Sequence, residues 1–177
     1  TSRNLYWILT GDDFNLDIND PENPKILCIG NNPDREIIYG TCIALYTSRM
    51  FKRINHPGKL KSAVLLDEMP TIFLPGVDKI LNTCRSNGVV FVVGGQDITQ
   101  FVRDYGKKES DVLVNTPGTT LTGQVTGETA KTMSAAFGKQ DRVRESESIG
   151  RSTDSVSISM QEKEIMPIRK IETLSTG

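Results

Sequence analysis

The stretch Ala63-Val64-Leu65-Leu66-Asp67-Glu68 runs four apolar residues into two adjacent carboxylates and is followed at once by Met69-Pro70. An apolar run of this length with β-branched content, closed by a proline, predicts a buried strand whose carboxyl end carries the acids. In open α/β sheets that edge is where ligands bind. Two carboxylates placed there can divide the work of an attack by water: Asp67 to hold a Mg²⁺ ion through its water shell, Glu68 to orient and polarise the attacking water. A strand ending in Asp-Glu before a proline turn is also an ordinary structural feature, so the assignment depends on the rest of the chain.

Taken in order, residues 5–9 read as a short aromatic strand and residues 11–24, rich in Asp, Asn and Pro, as a loop. Residues 25–30 read as a buried strand. Asn31-Asn32-Pro33-Asp34 then supplies turn and N-cap chemistry for a helix of about 20 residues with apolar positions Ile37, Ile38, Cys42, Leu45, Tyr46, Met50 and Ile54. Its basic end, Arg49, Lys52 and Arg53, complements a helix C-terminus. Pro75-Gly76 opens a second helix carrying Val77, Ile80, Leu81 and Cys84 and ending near Arg85-Ser86-Asn87-Gly88. Val89-Val90-Phe91-Val92-Val93 is the strongest buried-strand signal and ends in Gly94-Gly95-Gln96-Asp97. Alternating strands and helices with short connections predict an α/β fold, a mostly parallel sheet flanked by helices.

Helices follow at 98–105 and 107–115, a further strand at 119–124, and a short helix at 127–138 of the kind that packs on a sheet's flank. Residues 139–164 shift to Ser, Glu, Asp and Arg. Within them Val156, Ile158 and Met160 alternate with serines and Gly150 can make a turn, so the segment reads as an exposed polar hairpin, with a flexible tract as the alternative. Residues 167–174 begin another helix or a short turn.

The chain has 177 residues, enough for a core of ordinary size. Its 21 basic and 22 acidic side chains nearly cancel. There is thus no global nucleic-acid footprint, and contact with DNA requires a local patch or a multimer's pore. Cys28, Cys42, Cys84 and the single His56 offer no zinc-ligand spacing and no disulfide framework, which points to reduced thiols in a cytosolic compartment. No apolar run approaches the roughly 18 residues of a membrane span. The chain starts without methionine and stops in mid-pattern, as expected of a piece of a longer protein.

Gln96 follows its strand as Glu68 follows its own, so the two side chains can lie together on one sheet edge. The Asp67-Glu68 pair resembles the Walker B pattern of P-loop ATPases, and in RecA-like ATPases a glutamine at the position of Gln96 senses the γ-phosphate. The plain alternative is a polar strand end. Arg85, 17 residues after Glu68, can serve as an arginine finger across a subunit boundary or as a C-terminal helix charge. No G-x-x-x-x-G-K-[ST] phosphate loop is present: Gly58-Lys59, Gly106-Lys107 and Gly138-Lys139 each lack the upstream glycine or the hydroxyl. His56 reads as a turn residue, and Tyr6-Trp7 as core rather than a base-stacking platform.

Together these residues resemble a known family. Ile29-Gly30-Asn31-Asn32-Pro33-Asp34-Arg35 before a long helix, Val64-Leu65-Leu66-Asp67-Glu68-Met69-Pro70, Cys84-Arg85-Ser86-Asn87-Gly88, and Gly94-Gly95-Gln96-Asp97-Ile98-Thr99-Gln100-Phe101 are similar to the C-terminal half of conjugative coupling proteins of the TraG/TraD type. The likeness is greatest to the version on mobile elements of Bacteroides and relatives. Asn115-Thr116-Pro117-Gly118, the run from Gly127 to Thr132 before Phe137-Gly138, and Met166-Pro167-Ile168 share it.

The resemblance implies a partial P-loop NTPase (RecA-like) motor domain. Residues 1–177 would be its C-terminal portion, with the Walker A half missing and the hairpin or flexible segment at about 139–164. It implies a DNA-translocating ATPase that couples the relaxosome to a type IV secretion channel. The parent would be a homo-hexamer, anchored at the cytoplasmic face of the bacterial inner membrane by helices absent here. Asp67 would hold Mg²⁺; Glu68 and Gln96 would act on ATP and water; Arg85 would be the trans-acting finger. ATP and Mg²⁺ are expected in the parent, with none held tightly by this segment. Expected partners are DNA, relaxase and other relaxosome proteins, and the secretion channel, with residues 67–105 matching the part that recognises a relaxosome accessory protein. Two other readings stand beside this one: a non-catalytic relaxosome-protein docking module, and a septal or chromosome-partition translocase, against which the serine-rich tract and the lack of a winged-helix pattern argue.

Overall fold

The computed structural model describes residues 3–149 and 154–175. The Gly150 turn and the side chains of Ile37 and Val156 fall outside the described residues. The chain divides into two compact units, residues 1–118 and 119–177.

The first unit is built on α1 (Arg3–Thr10), α2 (Glu36–Ile54), β1 (Ser62–Leu66), α3 (Val77–Thr83), β2 (Val89–Val93) and α4 (Ile98–Asn115). β1 and β2 pair in parallel from Ser62 opposite Val89 to Leu66 opposite Val93, joined through α3 as the alternating pattern predicts. The core gathers Met50, Phe51 and Ile54 from the end of α2, Val64 and Val89 from the strands, Val77 and Cys84 from the connection, and Phe101, Tyr105 and Leu113 from α4. Phe51 meets Phe91 edge-on at a ring separation of 5.2 Å, a favoured aromatic geometry.

Buried polar groups tie the loops to this core. Asn19 is buried and donates its amide to the carbonyls of Ile54 (3.0 Å) and Leu60 (3.1 Å), holding the turn that contains His56 against the end of α2. The Tyr105 hydroxyl donates to the Ile72 carbonyl (2.7 Å) and accepts from the Leu74 amide (3.1 Å), fixing the segment that leaves the Asp-Glu corner. Burial pushes this phenol up to about 12. Gly106, at φ 79, breaks α4 into the two helices expected at 98–105 and 107–115.

Several expectations fail, for physical reasons. Residues 5–9 are helical, not a strand; a short apolar run does not tell the two apart. Tyr6 and Trp7 there are exposed rather than core. Residues 25–30 and 119–124 take no regular structure. An isolated strand leaves its backbone groups without ladder partners, and Ile26 and Leu121 are each 94% exposed. The β1–β2 sheet is buried on one face only: Val64 and Val89 point into the core, while Leu65, Val90 and Val92 are exposed. Among the described residues of α2 the deeply buried ones lie in the last two turns, and Ile38 and Leu45 face solvent.

In the second unit α5 (Gly127–Phe137) packs on α6 (Ile168–Glu172), burying Ala130, Met133 and Ile171. The Ser134 hydroxyl donates to the Met166 carbonyl at 2.7 Å. Between the helices β3 (Lys139–Ile149) and β4 (Asp154–Glu164) form an antiparallel hairpin, in register from Lys139 opposite Glu164 to Ile149 opposite Asp154.

Phe51 is the most completely enclosed aromatic residue of the first unit, 1% exposed. Phe51→Ala is expected to lower stability by about 3–5 kcal/mol in denaturant unfolding. Leu45→Ala, on the exposed side of the same helix, is expected to change it by no more than about 0.5 kcal/mol.

Candidate functional site at the carboxyl edge of the parallel sheet

The hydrogen-bond ladder between β1 and β2 continues one step past the strands. Gly94 N–H donates to the Leu66 carbonyl (2.8 Å), and Met69 N–H donates to the Gly94 carbonyl (3.0 Å). The corner Asp67-Glu68 is thereby pinned against Gly94-Gly95-Gln96. Glu68 takes the left-handed conformation, φ 48 and ψ 45. It is the one non-glycine residue with positive φ among the described residues, a conformation held only where the surroundings over-determine it. Its carbonyl accepts from both the amide (2.9 Å) and the hydroxyl (2.8 Å) of Thr71. Met69 and Pro70 beneath it are buried.

This geometry brings two of the anticipated residues into contact. Gln96 Nε2 donates to Glu68 Oε1 at 2.7 Å. Gln96 is itself placed by the start of α4, where the Asp97 carboxylate accepts from the Thr99 amide at 2.8 Å, a side-chain N-cap. Gly95 lets the turn approach α4: a Cβ there would lie 2.4 Å from Phe101 Cε2. Gly94 leaves open the space beside Asp67, whose Oδ1 would be 3.3 Å from a Cβ at that position.

Asp67 is exposed on the same corner. Among the described residues no group of three or more His, Cys, Asp or Glu side chains is placed to enclose a metal ion. One exposed carboxylate beside an open glycine suits a Mg²⁺ that keeps most of its waters and takes further oxygens from a phosphate, the usual habit of that ion.

Arg85 is not part of this cluster. It is exposed in the 3-10 turn Cys84–Asn87 that precedes β2, at the opposite, amino end of the strands. That end is knit by Asn55 Nδ2 donating to Thr83 Oγ1 (2.9 Å) and Asn87 Nδ2 donating to Asn55 Oδ1 (2.7 Å). A five-residue strand spans about 17 Å, so within one chain Arg85 does not reach the Glu68–Gln96 pair.

An open groove of about 690 Å³ runs from that pair along α4, lined by Glu68, Phe73, Gln96, Gln100, Arg103 and Asp104 among others. Arg103 donates to Asp104 through Nε and Nη2, both at 2.7 Å. That pairing holds the Asp104 carboxyl below the usual carboxylate range. The sequence reading missed Arg103 as the cation on this wall. The signal was present in the spacing of Gln96, Gln100, Arg103 and Asp104, which fall on one side of a helix start.

Residues 61–176 match the family described as the TraM recognition site of TraD and TraG. The chain belongs to this family of TraG/TraD-type coupling proteins. No curated protein matches it. Similar solved structures include the bacterial conjugative coupling protein TrwBdeltaN70 in an unbound monoclinic form (TM-score 0.72, 21% identity, covering 92% of this chain and 39% of that one). The plasmid coupling protein TrwB in complex with ADP and Mg²⁺ gives a TM-score of 0.70 at 20% identity, covering 92% and 38%. The same protein with the non-hydrolysable ATP analogue ADPNP gives 0.71 at 20%, with the same coverage. These likenesses bear out the α/β fold with a parallel sheet and flanking helices. The chain spans less than two-fifths of the length of those coupling proteins.

Gly95→Ala should force the Phe101 ring out of the core. The expected cost is about 1–3 kcal/mol in urea unfolding. Gly123→Ala, with nothing within 4 Å of its added Cβ, is expected to stay within about 0.5 kcal/mol of wild type.

Proposed function

We propose that this chain is the distal part of the motor domain of a DNA-translocating ATPase, which couples the relaxosome to a type IV secretion channel in conjugation. The observation that carries the reading is the Gln96–Glu68 hydrogen bond at the carboxyl edge of two parallel strands. A carboxylate held there by an amide donor has an oriented oxygen, which is what a group that polarises water needs.

In this reading Glu68 aligns the attacking water and takes up its proton. Gln96 fixes the Glu68 carboxylate while its own amide remains able to exchange partners when a phosphate oxygen arrives or leaves. Asp67, on the open side of the corner, would hold a hydrated Mg²⁺. Bound ATP and Mg²⁺ supply the transferable phosphoryl group and the cation that neutralises it. The phosphate cradle belongs to another part of the parent. Arg85, exposed at the far end of the sheet, completes the site of a neighbouring subunit in a hexamer at the cytoplasmic face of the inner membrane. Among the described residues no helix is long and apolar enough to cross a membrane.

A second reading is favoured by the description of the matching family as a TraM recognition site: a docking module for a relaxosome protein, with inherited acids. The two diverge on one variant. Glu68→Gln in the full-length parent is expected to cut DNA-stimulated ATP turnover by roughly 10²–10⁴-fold with nucleotide binding unchanged. Equal turnover in variant and wild type would reject the motor assignment and leave the docking module.

A further inference from the structure

The β3–β4 hairpin presents two chemically different faces. Side chains alternate along each strand. The register therefore puts Asp141, Val143, Ile158, Met160 and Glu162 on one face, and Gln140, Arg142, Arg144, Ser159, Gln161 and Lys163 on the other. Two contacts agree with this division. Lys139 Nζ pairs with Glu162 Oε2 across the first face at 2.9 Å. On the second, in the orientation that satisfies both groups, the Gln140 amide oxygen accepts from Nε and Nη2 of Arg142, each at 3.1 Å.

The first face carries the carboxylates and a strip of exposed apolar residues, Val143, Ile158 and Met160. On the second face the described side chains include three cations and no carboxylate. Arg142 and Arg144 are alternate residues of one strand, about 6.8 Å apart, and Lys163 lies one step further on the facing strand. None of the three takes an ion pair among the described residues. Their neutral neighbours are amides and a hydroxyl.

A protein-docking surface needs apolar or aromatic anchors at its centre, and in this hairpin those lie on the opposite face. A phosphate backbone needs spaced cations with hydrogen-bond donors between them. A two-stranded ribbon is also a shape that the major groove admits. We propose that Arg142, Arg144 and Lys163 form a contact surface for the phosphate backbone of nucleic acid. The inference rests on the DNA part of the proposed function and deepens it by naming the surface. In a chain of net charge −1 a local face of this kind is what a polyanion can use. The acids of the other face are repelled by the same backbone, which sets which way the ribbon turns.

The test is the salt dependence of binding between residues 1–177 and labelled oligonucleotides, single-stranded and duplex, with cross-strand NMR contacts confirming the hairpin in each variant. Arg142→Ser/Arg144→Ser is expected to weaken binding and lower the slope of log affinity against log salt by about 2. Arg142→Lys/Arg144→Lys is expected to keep the slope, as is Asp141→Ser/Glu162→Ser on the opposite face. The proposal is overturned by no binding by wild type at low salt, by the same slope in the serine double variant, or by an equal loss from the opposite-face variant. Displacement of the oligonucleotide by poly-L-glutamate at matched charge would also overturn it, making an acidic protein segment the ligand. A parent whose ATP turnover still responds to DNA after the serine substitutions loses this surface but keeps the motor assignment. A parent that neither hydrolyses ATP nor binds DNA loses both.

Discussion

Everything at the candidate site depends on two backbone hydrogen bonds made after the strands have ended. The Gly94 amide on the Leu66 carbonyl and the Met69 amide on the Gly94 carbonyl carry the parallel ladder around the corner. Without them Asp67-Glu68 and Gly95-Gln96 would be two free loops, and a 2.7 Å contact between their side chains would cost the ordering of both. With them the left-handed turn at Glu68 is enforced. The ordering is already done by the sheet, by the buried Met69 and Pro70, and by Phe101 against Gly95. This is the usual way a rigid element pre-positions polar side chains on its loops.

That arrangement separates positioning from chemistry. The core holds the corner, and the corner leaves Asp67 and Gln96 exposed while half-burying Glu68. The donor on the Glu68 carboxylate is a neutral amide, which orients the oxygen without adding a counter-charge. Arg103, which lines the adjoining groove, is engaged by Asp104.

The legibility of the fold followed the strength of the local signals. Val89–Val93 and the run into Asp67-Glu68 were readable as strands because each pairs with the other, and their common edge put Glu68 beside Gln96. Residues 25–30 and 119–124 also read as strands one residue at a time. Whether an apolar run becomes a strand is decided by whether a partner edge exists, and no local pattern reports that. Residues 5–9 failed through the ambiguity of a five-residue apolar run. Phe51, central to the core, lies beside the helical stripe through Met50 and Ile54 that the apolar pattern picks out. Arg103 shares a helix-start spacing with Gln96 and Gln100, but its place on the groove wall and the left-handed backbone at Glu68 follow from how the corner is hydrogen-bonded across the sheet edge, which no local pattern reports. The alternation of residues 139–164 did reveal a hairpin pattern, but the sorting of its charges onto two faces needed the register.

The central claim is that Glu68 and Gln96 act as one unit. The measurement that tests it most directly is a double-mutant cycle on DNA-stimulated ATP hydrolysis by the full-length parent, comparing Glu68→Gln, Gln96→Ala and the two combined. A coupled pair predicts that the double variant is about as slow as the slower single variant. Losses that simply multiply would show two independent residues and contradict the account.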